Sequence, residues 1–260
     1  MTISYNQAPF LEEAIKSVLG QGHNDLEYIV VDPGSTDGSR NIIEKYRGKI
    51  SSAVFEPDDS PADGLNKGFS KATGEVYGYL NADDILLPGA LEKVSRFFDK
   101  EEGVDVVSSH CYIIDREGKI VQKSFSHKFN LKQYVIGNCV LIQQSTFFRS
   151  ELFKRVGGFN TENLINWDGE LAVDFALAGA SFRVVPDYWS YYRVHVESIT
   201  SSSAYKRELY EDYKRLQTKT GLKVNSKLSK RIYWLLNWLG QPGTLTRRIC
   251  DGFIHPNRVI

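Results

Sequence analysis

The sequence predicts an α/β fold in which a mainly parallel sheet is covered by helices on both faces. Three observations carry this expectation. Continuous apolar runs rich in branched side chains, such as Tyr28-Ile29-Val30-Val31, read as strands buried on both sides. Segments with helical spacing alternate with those runs. Turn-forming and acidic residues stand where the runs end, the position at which sheets of this kind bind ligands.

Taken in order, Pro9 to Leu19 sets Phe10, Leu11, Ala14, Ile15, Val18 and Leu19 at helical spacing and stops at Gly20, a C-terminal cap. The strand ending at Val31 runs into Asp32-Pro33-Gly34-Ser35-Thr36-Asp37-Gly38-Ser39, and Ile42, Ile43 and Tyr46 then resume the helical period. The succession recurs as a helix from Ala62 to Ala72, a strand from Val76 to Leu80, an acidic turn, and a helix opened by Pro88 and running through Phe98. Val104 to Ser108 is a further strand. Beyond Lys123 the pattern loosens, leaving a short helix from Ser150 to Val156 capped by Gly157-Gly158 and a longer one from Asp168 to Ala178. From Ala204 the chain reads as charged helix, then as Ser229 to Leu239, basic at its start and apolar after.

Composition narrows the function. In 260 residues, 32 Lys and Arg balance 32 Asp and Glu, and this zero net charge argues against a nucleic-acid partner. Three cysteines, Cys111, Cys139 and Cys250, fall in no Cys-x-x-Cys pair, which disfavours a disulfide framework or a structural zinc site and makes a reducing compartment the default. No run of eighteen apolar residues exists, and the first twenty include Asn6, Glu12, Glu13 and Lys16, so the expected location is the cytoplasm.

P-loop, Gly-x-Gly-x-x-Gly, Gly-x-Ser-x-Gly and His-Glu-x-x-His patterns are all absent from the sequence. What remains is carboxylate chemistry at strand ends. In Asn81-Ala82-Asp83-Asp84, strand alternation puts Asn81 and Asp83 on one face and turns Asp84 away, unless a turn at Asp83 brings Asp84 round. Such an oxygen-rich position suits Mg²⁺ or Mn²⁺ shared with a substrate diphosphate. It equally suits an acidic turn that caps the next helix. Asp32 has two readings as well, a turn residue or an acceptor for a nucleobase or ribose, and Tyr5 is either a stacking platform or a core tyrosine.

Several ordered motifs together resemble a family-two glycosyltransferase of the GT-A fold, a Rossmann-like architecture. They are Ser4-Tyr5-Asn6-Gln7, the run from Ile29 to Ser39, Asn66-Lys67-Gly68 with Ala72-Thr73-Gly74-Glu75, and Leu80-Asn81-Ala82-Asp83-Asp84. Gln144 to Arg149, Val156-Gly157-Gly158-Phe159, Trp167-Asp168-Gly169-Glu170-Leu171 and Arg193-Val194-His195 continue the likeness to about residue 200. The resemblance implies an inverting, metal-dependent enzyme that moves a sugar from a nucleotide-sugar, by default a UDP-sugar, to a glycan or lipid-linked acceptor in cell-surface polysaccharide or glycolipid synthesis. It assigns the nucleoside to Tyr5 and Asp32 with Asn66 in the same pocket, the Mg²⁺ or Mn²⁺ to Asp83 with Asp84 beside it, and the catalytic base to Asp168. His195 matches a position near the diphosphate or acceptor. To these we add Asp63, which lies close to Asn66 in the chain.

The implied organisation is a transferase domain over 1–203, with a nucleotide-binding half to about 105 and an acceptor half over 106–203, followed by a helical extension over 204–260. Two readings stand for 225–260: a basic amphipathic helix on the inner face of the plasma membrane, or a stripe packed on its own domain or on a second subunit as a homodimer. The sequence also departs from the family. Only Met1-Thr2-Ile3 precede Ser4, so most of the first central strand is missing and an exposed strand edge is expected. Asn81 replaces the first acidic residue of the metal motif, Pro33 a common second acid, and Trp167 a common glutamate. These departures motivate an alternative, a non-catalytic sugar-nucleotide-binding or scaffold protein. A nucleotidyltransferase is a third reading, against which the lack of a Gly-rich basic start weighs.

Overall fold

A computed structural model describes residues 1–195 and 206–222. The expected α/β architecture is present, but the strands form two sheets. The first is parallel, with strand order β3-β2-β1-β5, built from β1 (Thr2–Ile3), β2 (Ile29–Val31), β3 (Ser52–Val54) and β5 (Leu80–Asn81). The second is mixed, with order β4-β9-β7-β10-β6 and β8 on β7. Its strands are β4 (Val76–Gly78), β6 (Ile85–Leu86), β7 (Val106–Ile114), β8 (Ile120–Ser124), β9 (Thr146–Arg149) and β10 (Phe182–Arg193).

Val76 to Leu80 therefore does not run as one strand. β4 pairs antiparallel with β9, and β5 pairs parallel with β1. The chain changes sheets at Tyr79, and Gly78 permits the close approach this needs, since a Cβ there would stand 2.4 Å from the Phe147 ring. The first strand is short, as the sequence indicates, yet it is not an edge. Thr2 and Ile3 pair with Val30 and Val31 on one side and with Leu80 and Asn81 on the other.

Helices follow the strands: α1 (Ala8–Leu19), α2 (Ser39–Lys45), α3 (Pro61–Phe69), α4 (Ala90–Lys100), α5 (Leu131–Val135), α6 (Ser150–Val156) and α7 (Trp167–Leu177). The apolar stripe of α1 buries Phe10, Leu11, Ala14, Ile15 and Val18, most of it in one core with Val30, Leu80, Leu86 and Trp189. A second core is aromatic, with Phe69, Tyr77, Phe148, Phe153 and Phe159 at ring separations of 4.7 to 6.4 Å. It joins α3 to α6 and so ties the first half of the chain to the second.

The charged helix expected from Ala204 is described as α8 (Lys206–Thr220), which packs on α5 and α7. The proposed boundary at 203 and the membrane or dimer stripe in 225–260 lie outside the described residues. Among the described residues no helix is long and apolar enough to cross a membrane.

Candidate functional site

A cavity of about 750 Å³ opens over the C-terminal ends of the parallel strands. Its wall is supplied by Tyr5 beyond β1, Pro33 and Gly34 beyond β2, Asp58 to Pro61 between β3 and α3, and Asn81 with Asp83 beyond β5. The second half contributes Gln143, Trp167, Asp168 and Tyr192.

Two loops at the cavity rim interlock. Asn6 N donates to Ser35 Oγ (2.8 Å), Thr36 N to Asn6 Oδ1 (2.9 Å), Gln7 N to Ser39 Oγ (3.1 Å) and Ala8 N to Asp37 Oδ2 (2.8 Å). Asp37 thus satisfies the first orphan amide of α1, across the loop, while its Oδ1 accepts Ser39 N (3.0 Å), the first amide of α2 after the Gly38 N-cap. The clasp holds Asn6 at φ 52°, a conformation asparagine tolerates, and leaves the Tyr5 ring 62% exposed at the rim.

Asp32 is fully buried behind that rim. Its Oδ1 accepts Gly34 N (3.1 Å), Ser35 N (2.8 Å) and Arg40 Nε (3.2 Å), whereas Oδ2 is buried with no hydrogen-bond partner. An unpartnered buried carboxylate oxygen costs about 1–3 kcal/mol and calls for a donor.

The chain turns at Ala82 and Asp83, directly after β5. Asn81 and Asp83 face the cavity, while Asp84 is 1% exposed and faces inward, where its Oδ1 accepts Arg193 N (2.9 Å). Burial and the adjacent Asp83 charge push the Asp84 carboxyl well above the usual range. The turn that closes here, Asp84 N to Asn81 O at 3.1 Å, leaves Asp84 off the cavity wall, so its expected place beside the donor is not observed.

His195 reaches Asp83 from the end of β10, with Nε2 3.1 Å from Asp83 Oδ2 and its ring 4.9 Å from that of Phe10. Arg193, which sequence reasoning missed, is the hub of this corner. Its buried guanidinium donates to Asp83 O (2.9 Å), Arg116 O (2.9 Å) and Glu13 Oε2 (2.6 Å). Its place two residues before His195 was the available signal.

Asp168 occupies the first turn of α7 on the cavity wall, and burial raises its carboxyl above the ordinary range even though the Gly169 amide favours the charged form. Cys111 also lines the cavity, but burial pushes its thiol pKa up, so it is no thiolate nucleophile.

Asp63 and Asn66 stand off the wall. Asp63 Oδ2 accepts Asp59 N (3.1 Å) and Lys67 Nζ (2.6 Å), closing the start of α3 together with the Ser60 cap. Asn66 clasps Phe159 at both backbone groups, Nδ2 to O and N to Oδ1, each at 2.9 Å. Gly158, at φ 84°, allows this approach, since a Cβ there would meet Asn66 Oδ1 at 2.6 Å. Asn66→Ala is expected to lower unfolding free energy by about 2–3 kcal/mol through these two unpaired backbone groups. Denaturant titration checks the loss, and nucleotide affinity of the folded variant should stay within about twofold.

Asp58 is a cavity residue that the sequence reading passed over, because its preceding strand, Ser52-Ala53-Val54, is too weakly apolar to be recognised. Burial first, then the Asp63 charge, raises its carboxyl from 3.8 to about 6. A raised acid pKa means the folded state holds the proton more tightly, so stability falls as pH rises from about 4 to about 6. Asp58→Asn should remove this fall, making the variant more stable than wild type by about 1 kcal/mol at pH 7 after allowance for solvent screening, as measured by urea titrations at several pH values.

The sequence model described as Glycosyl transferase family 2 matches residues 1–157. An uncharacterized glycosyltransferase of Nostoc sp. is 31% identical over 205 residues, covering 74% of this chain, which spans 63% of that relative's length. Among solved structures, S. aureus TarS 1-349 in complex with UDP-GlcNAc superposes with a TM-score of 0.70 at 21% identity, over 92% of this chain and 71% of that one. The mannosyltransferase PcManGT from Pyrobaculum calidifontis, in complex with GDP-Man and Mn²⁺, gives 0.65 at 19% identity over 98% and 75%. At these identities the structural matches establish the fold, GT-A. The motif order, the strand-end cavity and the family match over more than half of the chain agree: this chain belongs to glycosyl transferase family 2.

Proposed function

We propose that the chain transfers a sugar from a nucleoside diphosphate donor, by default a UDP-sugar, to a hydroxyl of a glycan or lipid-linked acceptor, with inversion by single displacement. The observation that carries this reading is the convergence of Tyr5, Asp83 and Asp168 on one strand-end cavity. Asp32 is buried off the cavity wall, but the adjoining Pro33 and Gly34 line it, and its unpartnered oxygen would accept an N–H of a base stacked on Tyr5 once the donor enters. Bound UDP-GlcNAc in TarS and GDP-Man in PcManGT support a nucleotide-sugar donor for the same fold.

Charge supports a metal. Among the described residues the cavity wall carries Asp58, Asp59, Asp83 and Asp168 and no Lys or Arg, so a diphosphate there would meet like charge. Among the described residues no cluster of three or more His, Cys, Asp and Glu stands ready for a cation. The donor set fits Mg²⁺ or Mn²⁺ bound as in many phosphate sites, by one or two protein groups plus phosphate and water. Asp83 would hold it with His195 Nε2 beside it, and when bound the ion supplies charge stabilisation for the departing diphosphate.

Asp168 takes the proton of the attacking hydroxyl as the acceptor oxygen bonds to the anomeric carbon. A carboxyl raised toward the working pH is better matched to that transfer than an unperturbed one. Asn81, Tyr79 and Gln143 line the same cavity, where Gln143 Nε2 donates to Tyr79 O (2.6 Å).

Calorimetric titration with UDP and GDP, each with and without Mn²⁺, tests the donor half of this proposal. Uridine binding that tightens with Mn²⁺ is expected. A folded protein that binds neither nucleotide would overturn the reading.

A further inference from the structure

We propose that α8 is a working part of the catalytic centre and that Lys219, with Arg215, is a positioning residue that holds the helix carrying Asp168. The inference rests on the assignment of Asp168 as base. It starts from Glu170, two residues further along α7, whose carboxylate is 2% exposed. Asn160 Nδ2 (3.0 Å) and Asn163 Nδ2 (2.8 Å) donate to it from the loop that leads into α7. Neutral amides leave its charge uncompensated, and a buried carboxylate requires an opposite charge. That charge comes only from α8 among the described residues: Lys219 Nζ at 3.0 Å and Arg215 Nη1 at 3.5 Å.

The same network shapes the start of α7. Asn163, oriented by Glu170, accepts Ile165 N (3.1 Å) and Asn166 N (2.8 Å), the turn from which Trp167 and Asp168 emerge. Lys219 also donates to Asp174 Oδ2 (2.7 Å), one helical turn further on, and Arg215 to Asp212 (2.9 Å). Leu216, fully buried, packs on Val135 of α5 and Val173 of α7. α5 in turn brings the Tyr134 hydroxyl against Gly169. The first turn of α7 is therefore held from both sides by groups that depend on α8.

Removal of Lys219 leaves Glu170 negative and underpaired two residues along α7 from Asp168. Among the described residues, Tyr79, from the turn between β4 and β5, faces Asp168, and Tyr134 of α5 sets its hydroxyl against the neighbouring Gly169; those facing Glu170 are Lys219, Arg215 and Asp174. An added negative charge raises a carboxyl pKa, and a loosened helix misplaces the base.

The test compares Lys219→Met, Lys219→Arg and the double variant Glu170→Gln/Lys219→Met in the full chain. Lys219→Met should lower kcat about tenfold, leave donor KM within about twofold, and move the acidic limb of the kcat profile up by about half a pH unit. Lys219→Arg and the double variant should recover most of kcat and return the limb to its wild-type position. Hydrogen exchange gives a readout free of activity: amides of 160–172 should exchange faster in Lys219→Met, with those of the first parallel sheet unchanged. A merely structural α8 would lower Tm while the limb and the exchange of 160–172 stay at wild type, and that result overturns the inference. An Asp168→Asn control that retains full turnover would instead refute the base assignment, and the exchange comparison would still decide whether Lys219 holds α7.

Discussion

Asp168→Asn is expected to lower kcat by roughly 10²–10⁴-fold, the range a general base contributes, while UDP affinity in the presence of Mn²⁺ stays close to wild type. The same substitution should raise the melting temperature at neutral pH. Burial lifts the Asp168 carboxyl above its value in the unfolded chain, so the folded state binds its proton more tightly. Stability is then fullest below the unfolded value and declines as pH rises through the folded one. Asparagine keeps the shape, still accepts the Gly169 amide, and has no proton to lose. Activity and stability are thus expected to move in opposite directions, as at sites where function holds a group in an unfavourable environment. Single-turnover kinetics together with thermal melts at pH 5 and pH 8 separate the two effects. A variant that loses turnover and also stability at pH 8 would identify Asp168 as a helix cap, the other reading open to an aspartate in a first turn.

How far the sequence could reach depended on the range of the interactions. α1, α2, α3 and α7 were legible from local period and turn chemistry, whereas the placing of Asp84 was not: alternation turned it away, the motif put it beside the metal, and the turn after β5 with its bond from Arg193 N decided the matter. Nor was the split at Tyr79 legible, because β4 and β5 both require apolar residues and an uninterrupted run satisfies two sheets as well as one. β10 was hidden by its irregularity, since register shifts between Val184 and Ser190 break the alternation that marks a strand. The site shows the same division. Tyr5 and Asp83 stand at strand ends that the pattern exposes, but the meeting of His195 with Asp83 spans 112 residues and no local rule encodes it. Asn66 is a different case: the motif that contains it was legible, while its clasp on Phe159 is set by a partner 93 residues away.

Asp83→Asn should abolish the gain in UDP affinity that Mn²⁺ provides, a loss of at least about tenfold, and leave metal-free affinity little changed. The argument is one of charge, not shape. An amide at this position keeps the volume and can still meet His195, and Arg193 continues to hold the Asp83 backbone carbonyl, so the corner stays assembled. What disappears is the carboxylate proposed to hold the metal, on a wall whose described residues include no Lys or Arg. Asp84→Asn is the matching control. Its carboxyl is buried behind the turn on Arg193 N, and an asparagine oxygen can accept that same amide, so metal-linked binding should survive. Isothermal titrations of the three proteins with UDP at a series of Mn²⁺ concentrations decide between the two acids. Loss of the metal response in Asp84→Asn with its retention in Asp83→Asn would reverse the assignment, because only a reorganised turn could then carry the ion. Loss in neither would place the diphosphate charge on groups other than this turn and make the cavity's acidity an obstacle to donor binding instead of a means to it.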